Sequence, residues 1–520
     1  MTSIAFTLSL LACVEEAPVV PPIQPTAPPP VAVSPSGTPH ATSPGTVWIT
    51  PGLVDSHAHP QGLGRHLSWL RLNDIPTKAA TLDAIQQAAG EGEGWLVGRG
   101  WDHTDWSDHD GSWPTAAQLD AIVEDRPVAL RRVDGHSTWV NSAGLTAAGI
   151  TSETRAPEGG RILRDAAGNP SGVLVDEAIS LLPRQPAPSD TEFRRQLERA
   201  LAEIAATGLT GVHDMGTSDR TLALYETLGQ ERAMPIRIMA YLDPDADAVA
   251  KLKAEGPWCG PRHCVVGVKW YADGSLGSRG ALLSRDYTDE PGHRGLGITD
   301  LDTLTREATA LLQARAQMAV HAIGDEGVHE VINAYAAARA AVPAAADVPL
   351  RLEHAQVIRP DDLARLRDLN IVASMQPTHA TSDMPWVEAR LGPDRVSWSY
   401  AWRDMLDAGV LLTFGSDFPV EQVSPSHGLW SATTRSDLEG APAGGWRPDQ
   451  ALSITEAVTA FSTSSYAALS PDIRAQVDPS GDRTTLVAEA RAGRVWWTAT
   501  ETVVDGSPVW SARWGPTGVP

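Results

Sequence analysis

A short apolar run that ends in two histidines is the most informative part of this sequence: Pro51-Gly52-Leu53-Val54-Asp55-Ser56-His57-Ala58-His59. The pattern predicts a strand over residues 48–57. His57 and His59 are two positions apart, so in an extended chain they point to the same side. A strand that delivers two imidazoles to one place indicates an active site or a metal site at its carboxyl end.

Along the rest of the chain, β-branched or apolar runs alternate with segments of helical pattern. Alternation of this kind is typical of parallel βα units. Eight strands favour an α/β fold with a closed (β/α)8 TIM barrel, although a doubly wound sheet would give a similar pattern. The predicted strands are 48–57, 209–214, 235–242, 265–271, 317–323, 350–355, 371–376 and 410–416.

The chain of 520 residues is longer than one barrel requires. The interval after the first strand is too long for a loop and has its own strand-like run, so it predicts an inserted subdomain. Alternating residues 484–511 predict a small, reduced β-sandwich formed mainly by C-terminal strands. The predicted units are a lipoprotein signal (1–13), a Pro-rich tether (14–46), the first barrel strand and loop (47–64), the insert (65–190), the remainder of the barrel (191–470) and a β accessory region (471–520).

The N-terminal residues Leu10-Leu11-Ala12-Cys13 resemble a bacterial lipoprotein signal, in which Cys13 becomes lipidated. This interpretation predicts an exported protein that is anchored in a bacterial cell envelope. No Lys or Arg precedes Cys13, whereas such signals begin with basic residues. If the match is accidental, the protein is cytoplasmic. Cys259 and Cys264 pair in the exported case, or remain two free thiols.

Composition excludes several classes of protein. Lys and Arg number 41 against 64 Asp and Glu, and a net charge of −23 does not suit a protein that binds nucleic-acid phosphates. The sequence contains no apolar span of about 20 residues, which excludes a polytopic membrane protein. Several of the 18 tryptophans fall in the insert, where they either wall a pocket or, as we favour, pack its core: Trp95, Trp101, Trp106, Trp113 and Trp139.

Side chains that bind metals recur at the ends of the predicted strands. A single histidine there is most often a hydrogen-bonded core group, but the whole set is hard to explain in that way. Lys269 lies within an apolar run, where a charged ammonium group is costly. Reaction with CO2 would remove its charge and supply oxygen ligands. Zinc prefers such a mixture of nitrogen and oxygen donors, here His57, His59, Lys269, His321, His354 and Asp417.

The order of these residues resembles the binuclear-metal pattern of the amidohydrolase superfamily. From about residue 47 to 470, the chain is similar to amidohydrolase family 3, the branch that includes the N-substituted formamide deformylases. The motifs that carry the resemblance, besides residues 51–59, are Gly100-Trp101-Asp102, Arg132-Val133-Asp134-Gly135-His136, Val212-His213-Asp214, Ala272-Asp273-Gly274-Ser275-Leu276-Gly277-Ser278-Arg279, His321 to Asp325, Glu353-His354-Ala355-Gln356, Ser374-Met375-Gln376-Pro377 and Gly415-Ser416-Asp417-Phe418-Pro419.

The resemblance implies two divalent metal ions, preferably zinc. His57 and His59 would hold the more buried ion with Asp417, and His321 and His354 would hold the second. A carbamate on Lys269 would bridge them. Asp417 would take a proton from the bridging water, and His136 would contact the substrate or support the oxyanion. Further residues that we expect near the substrate are His213, Asp273, Gln376, His379, Asp383 and Trp386.

We therefore expect a metal-dependent hydrolase of non-peptide carbon–nitrogen bonds in a small-molecule amide, N-formyl compound or cyclic amide. A metal-activated hydroxide would attack the carbonyl. The same centre also suits esters, lactones and phosphoesters, which remain the alternative. A non-catalytic surface binding protein is a weaker third hypothesis, because no ligand position is missing. The expected partners are the substrate and, through the lipid anchor alone, a membrane; a homodimer is left open.

Overall fold

The computed structural model describes residues 44–516 apart from 73–74, 91–93, 104–105, 109–111, 124, 133–136, 158–159, 184–186, 492 and 513–514. Cys13, nearly all of the predicted tether and His136 lie outside the described residues, and their predicted roles stay predictions. Within the described part of the chain, no helix is both long enough and apolar enough to span a membrane.

The strands are numbered in chain order. They are β1 Val47–Pro51, β2 Leu53–Ala58, β3 Leu70–Arg71, β4 Leu96–Trp101, β5 Val128–Arg132, β6 Ser137–Val140, β7 Gly160–Arg164, β8 Pro170–Asp176, β9 Leu209–Thr217, β10 Arg237–Leu242, β11 Trp258–Gly260, β12 His263–Tyr271, β13 Gln317–Ala322, β14 Leu350–His354, β15 Ile371–Met375, β16 Leu412–Phe414, β17 Arg483–Arg491, β18 Arg494–Val504, β19 Ser507–Ser511 and β20 Gly515–Pro516.

The helices are numbered in the same way. They are α1 Pro60–Leu67, α2 Lys78–Ala89, α3 Ala116–Asp120, α4 Ser142–Ala147, α5 Asp190–Ala206, α6 Asp219–Gln230, α7 Ala248–Glu255, α8 Leu301–Gln313, α9 Asp325–Ala341, α10 Pro360–Asp368, α11 Pro377–Asp383, α12 Val387–Arg395, α13 Trp402–Asp407, α14 Pro425–Thr434, α15 Ile454–Ala460, α16 Thr463–Ala467 and α17 Pro471–Arg474.

Eight parallel strands form a barrel in the order β2–β9–β10–β12–β13–β14–β15–β16. Hydrogen bonds just beyond β16 connect it to the carboxyl end of β2: the Asp417 N–H donates to the His57 carbonyl (2.8 Å) and the His59 N–H to the Phe418 carbonyl (3.0 Å). The strands follow in chain order without a reversal, unlike a doubly wound sheet. The predicted (β/α)8 barrel is confirmed.

The predicted first strand, 48–57, is two strands in different sheets. β1 pairs antiparallel with β17, with Val47 opposite Val487, whereas β2 pairs with β9 in the barrel. Val47 is 60% exposed and Trp48 3%, the alternation of a half-covered sheet, while every residue of β2 is buried. The sequence does not show the change from a half-exposed to a fully buried strand at Gly52, because the residues on both sides of it are apolar.

The insert forms a mixed sheet in the order β3–β4–β5–β6–β8–β7. Trp101 and Trp139 are fully buried in its core, and Trp106 is nearly so. The Trp101 indole donates to the Leu130 carbonyl (2.7 Å), and the Trp139 indole donates to the Thr115 carbonyl (2.8 Å). These three tryptophans pack the insert, as the favoured interpretation predicted.

The C-terminal strands form one antiparallel sheet with β1, in the order β1–β17–β18–β19–β20. A disulfide joins Cys259 of β11 to Cys264 of β12, which face each other across an antiparallel pair. Of the two alternatives left open by the sequence, the structure has the disulfide rather than two free thiols.

Candidate metal centre

The six predicted ligands come together where the barrel strands end. The Asp417 Oδ1 atom lies 3.1 Å from His59 Nε2 and 3.5 Å from His57 Nε2. The Lys269 Nζ atom lies 3.3 Å from His57 Nε2. The His354 ring centroid is 4.6 Å from that of His57 and 4.5 Å from that of His321. The residues of the cluster are His57, His59, Lys269, His321, His354 and Asp417.

Three of the imidazoles are oriented by an acceptor on their outer side. The His57 Nδ1 donates to the Glu353 carboxylate at 2.6 Å, and the His354 Nδ1 donates to the Gln376 Oε1 atom at 2.9 Å. The His321 Nε2 donates more weakly to the Gly274 carbonyl at 3.4 Å. Each acceptor assigns the proton to the outer nitrogen, so the other nitrogen of the ring carries the lone pair. Histidines that bind metals usually donate their other ring N–H to a carboxylate or a carbonyl group in this way.

Burial keeps these rings neutral. Burial, followed by the charge of Lys269, lowers the pKa of His57 to about 4 and that of His321 to about 3. Burial, with the neighbouring His321, holds the pKa of His354 well below its usual value. The three imidazoles therefore present lone pairs rather than protons at pH 7, as metal binding requires.

Lys269 and Asp417 complete the donor set. Burial lowers the pKa of Lys269 to about 8, so a substantial fraction of its amine is neutral near pH 7–8. Burial raises the pKa of Asp417, but interactions with His57 and His59 outweigh it and keep the carboxyl ionised. Neutral imidazoles around one carboxylate fit a divalent metal of the zinc type.

The backbone is strained at two of these residues. His354 and Asp417 both have left-handed φ angles, 71° and 61°. Non-glycine residues in this region cost about 1–3 kcal/mol each and concentrate at functional sites. The fold holds both side chains in place against this cost.

Arg351 and Glu353 form a buried layer beneath the histidines. The Arg351 guanidinium donates to Glu353 Oε1 (2.7 Å), to the Ser374 hydroxyl (2.9 Å) and to the Ser56 carbonyl (2.8 Å). Arg351 outweighs the effect of burial, and the pKa of Glu353 lies well below its usual value. The carboxylate that orients His57 is therefore ionised.

A match along most of the chain agrees with this geometry, since residues 48–474 fit the sequence profile of the amidohydrolase family. The chain belongs to that family. This amidohydrolase is 34% identical to YtcJ of Bacillus subtilis (strain 168) over 427 residues, 80% of this chain and 78% of YtcJ. It is 27% identical to the N-substituted formamide deformylase of Arthrobacter pascens over 369 residues, 67% of this chain and 65% of that enzyme.

A solved structure agrees as well. The uncharacterized metal-dependent hydrolase of Pyrococcus horikoshii OT3 superposes on this amidohydrolase with a TM-score of 0.65 and 26% identity, and the alignment covers 82% of each chain. The resemblance expected from the sequence is thus confirmed. The amidohydrolase is a hydrolase of a metal-dependent family, with candidate metal ligands in place.

The residues predicted near the substrate occupy different positions in the amidohydrolase. Asp273 is buried, and its carboxylate accepts the backbone N–H groups of Leu282 (2.8 Å), Ile323 (3.0 Å) and Gly324 (2.8 Å). His213 is fully buried, and its Nδ1 accepts from Arg351 at 2.8 Å. The structure thus gives Asp273 and His213 roles in the scaffold, and contact with substrate stays a prediction.

The other four predicted positions follow β15. The Gln376 amide binds His354 from behind. His379 directs Nε2 towards Asp417 Oδ2, 3.9 Å away. Asp383 accepts from the Tyr400 hydroxyl. Trp386 lies against the loop at Gly277, where an added Cβ would meet the indole at 3.4 Å.

The roles of Arg351 and Glu353 were not predicted from the sequence. Both stand in the strand that ends in His354, at alternate positions, so both point into the barrel. The signal was present, because two charged residues interrupt an otherwise apolar strand. Their partners come from β2, β9 and β15, and no local pattern specifies those contacts.

Proposed function

We propose that this amidohydrolase uses two divalent metal ions, preferably zinc, to hydrolyse a non-peptide carbon–nitrogen bond in an amide, an N-formyl compound or a cyclic amide. His57 and His59 would hold one ion, and His321 and His354 the other. When bound, such ions lower the pKa of water and polarise a carbonyl group. The remaining steps depend on side chains of the chain itself.

The position of the Asp417 carboxylate is the observation that carries this proposal. Its Oδ1 atom faces His59 and His57, while Oδ2 turns towards His379. The ionised carboxylate accepts a proton from the attacking water and returns it to the departing nitrogen. Proton return matters most for an amine, which leaves poorly as an anion.

Lys269 supports the binuclear centre through a proposed carbamate. The neutral amine would attack the carbon of CO2: the N–C bond forms as one C=O π bond opens onto oxygen, and the nitrogen loses one N–H proton to water, which leaves a carbamate anion. Burial of Lys269 favours the loss of the ammonium charge. A Lys269→Ala protein that keeps both ions and the full rate would contradict the bridge.

The name of the Arthrobacter pascens relative suggests where to begin with substrates. The full chain, loaded with Zn²⁺ or Mn²⁺, should be assayed against N-formyl amines, N-acyl amines and cyclic amides, beside matched esters, lactones and phosphoesters. We expect hydrolysis of amides, which a chelator should abolish and added metal should restore. The Asp417→Asn variant should hydrolyse them at least about 100-fold more slowly than the wild type.

Two outcomes would decide against this assignment. Turnover of esters, lactones or phosphoesters without turnover of any amide would favour the alternative class of hydrolase. Binding of metal without hydrolysis anywhere in the panel would favour a binding protein.

A further inference from the structure

His379 lies at the edge of the histidine cluster and is not among its expected ligands. The two oxygens of Asp417 face different groups: Oδ1 lies 3.1 Å from His59 Nε2, and Oδ2 lies 3.9 Å from His379 Nε2. The carboxylate therefore stands between two sets of imidazoles.

The geometry defines two groups of converging donors that share Asp417. One consists of His57, His59 and Asp417, and the other of His354, His379 and Asp417. In each group the ligand atoms all lie within 4.8 Å of one another. The rings of His354 and His379 are nearly parallel, at 15°, with centroids 6.0 Å apart. His379 thus supplies a nitrogen donor beside His354 that is not part of the group formed by His57, His59 and Asp417.

The His379 Nε2 atom is buried and has no hydrogen-bond partner in the described part of the chain. The side chain as a whole is only 11% exposed. A buried polar atom without a partner in the protein is costly, and an ion or a water is the kind of partner that it lacks. A metal ion between His354, His379 and Asp417 would satisfy this nitrogen.

The backbone around His379 is held from both sides. The Thr381 hydroxyl lies 3.1 Å from that of Ser431 on α14, and the Tyr400 hydroxyl donates to Asp383 at the end of α11. Gln376, the residue before α11, binds His354 directly. One short segment therefore fixes both imidazoles of the second group.

We propose that His379 is a protein ligand of the second metal ion, beside His354. The proposal rests on the proposed function, because it assumes the binuclear centre. It adds a donor from the β15–α11 junction to the set expected from the sequence. His379 then tightens the second site, and the first site remains with His57 and His59.

The test uses the full chain, stripped of metal and titrated separately with Zn²⁺ and Co²⁺. Metal per chain is measured after gel filtration, affinity by competition with a chromophoric chelator, and coordination by the visible absorption of Co²⁺. We expect two ions in the wild type. In His379→Ala and in the larger His379→Gln, the affinity for the second ion should fall at least about 10-fold, with a changed Co²⁺ spectrum.

His329→Gln is the matched control. His329 lies on α9, 31% exposed, with Nδ1 2.9 Å from Asp362 and no part in the centre. It should match the wild type in metal content, in affinity for the second ion and in the Co²⁺ spectrum. Circular dichroism checks folding, and His379→Gln decides the question if the alanine variant does not fold.

The outcomes separate the two proposals. Wild-type affinity and an unchanged Co²⁺ spectrum in a folded His379 variant would overturn the ligand role and leave the proposed function intact. A wild-type chain that binds no divalent metal would instead defeat the proposed function itself.

Discussion

Arg351 and Glu353 show how single residues deep in the barrel govern the metal centre. Glu353 holds the Nδ1 proton of His57, and Arg351 fixes Glu353 while bonding His213, Ser374 and the Ser56 carbonyl. Both side chains are completely buried. Removing one charge leaves the other buried and unpaired, which costs more than the intact pair contributes.

We predict that Glu353→Gln reduces metal affinity by roughly 10–100-fold, because His57 loses the carboxylate that orients it. The free energy of unfolding should fall by about 3–5 kcal/mol, because the buried charge of Arg351 loses its counter-charge. Chelator competition and denaturant unfolding of the metal-free chain measure the two effects. Glu198→Gln, which breaks the exposed pair with Arg194, should change neither by more than about 1 kcal/mol. If Glu353→Gln and Glu198→Gln changed the metal affinity equally, Glu353 would have no role in positioning His57.

The types of the candidate ligands could be predicted from the sequence, since His57, His59 and Lys269 stand at recognisable places in strands. The orientation of other polar residues could not. Asp273 follows β12, in the position expected of a substrate-binding residue, yet its carboxylate accepts backbone N–H groups. Only the folded path of the loop and of β13 brings those donors together.

At the scale of elements, α15 begins with a capping box that is tied to a neighbouring helix. The Ser453 N–H donates to the Glu456 carboxylate (2.8 Å), while the Glu456 N–H donates back to the Ser453 hydroxyl. Arg403 of α13 donates to both Glu456 oxygens, at 2.9 and 2.6 Å. The hydrogen bonds from Arg403, and then those with Ser453, lower the pKa of Glu456 to about 2.

This lowered pKa predicts a pH-dependent contribution to stability. The folded-state pKa of Glu456 lies below its ordinary value of 4.5, so the ionised group stabilises the folded state above about pH 4.5. The contribution fades as the pH falls from there towards 2. Glu456→Gln should lower stability by about 1 kcal/mol at pH 7, since the pair is partly exposed, and by less at pH 3.5.

Denaturant unfolding at several pH values tests this prediction. Glu489→Gln on the exposed face of β17 is the control and should show no such convergence with the wild type. A difference between Glu456→Gln and wild type that stays constant from pH 7 to 3.5 would rule out the proposed linkage.

The strands were predicted well where they are buried on both faces, as in β12 and β13. The boundary between β1 and β2 was not, because the apolar residues on either side of Gly52 look alike in sequence. Packing distinguishes them: a Cβ on Gly52 would lie 2.3 Å from Thr210 Oγ1, so the chain passes here at close quarters from one sheet to another.

At the scale of the whole molecule, the N-terminal signal and the disulfide both bear on where the protein resides. The sequence predicts lipidation at Cys13, and a disulfide between Cys259 and Cys264 suits an oxidising compartment. Metabolic labelling with a lipid precursor should label the wild-type chain and not Cys13→Ala. A wild-type chain that takes up no label would remove the case for an anchor.

The pairing of β1 with β17 has a mechanical consequence. Residues before Val47 enter the molecule through β1, and β2 with His57 follows only one residue after β1 ends. The β1–β17 ladder runs from Val47 opposite Val487 to Pro51 opposite Arg483, so a force applied to the chain before Val47 and directed along β1 would load several hydrogen bonds in shear at once. If Cys13 carries the predicted lipid, a force transmitted from the membrane would load the C-terminal sheet before it reached the histidines.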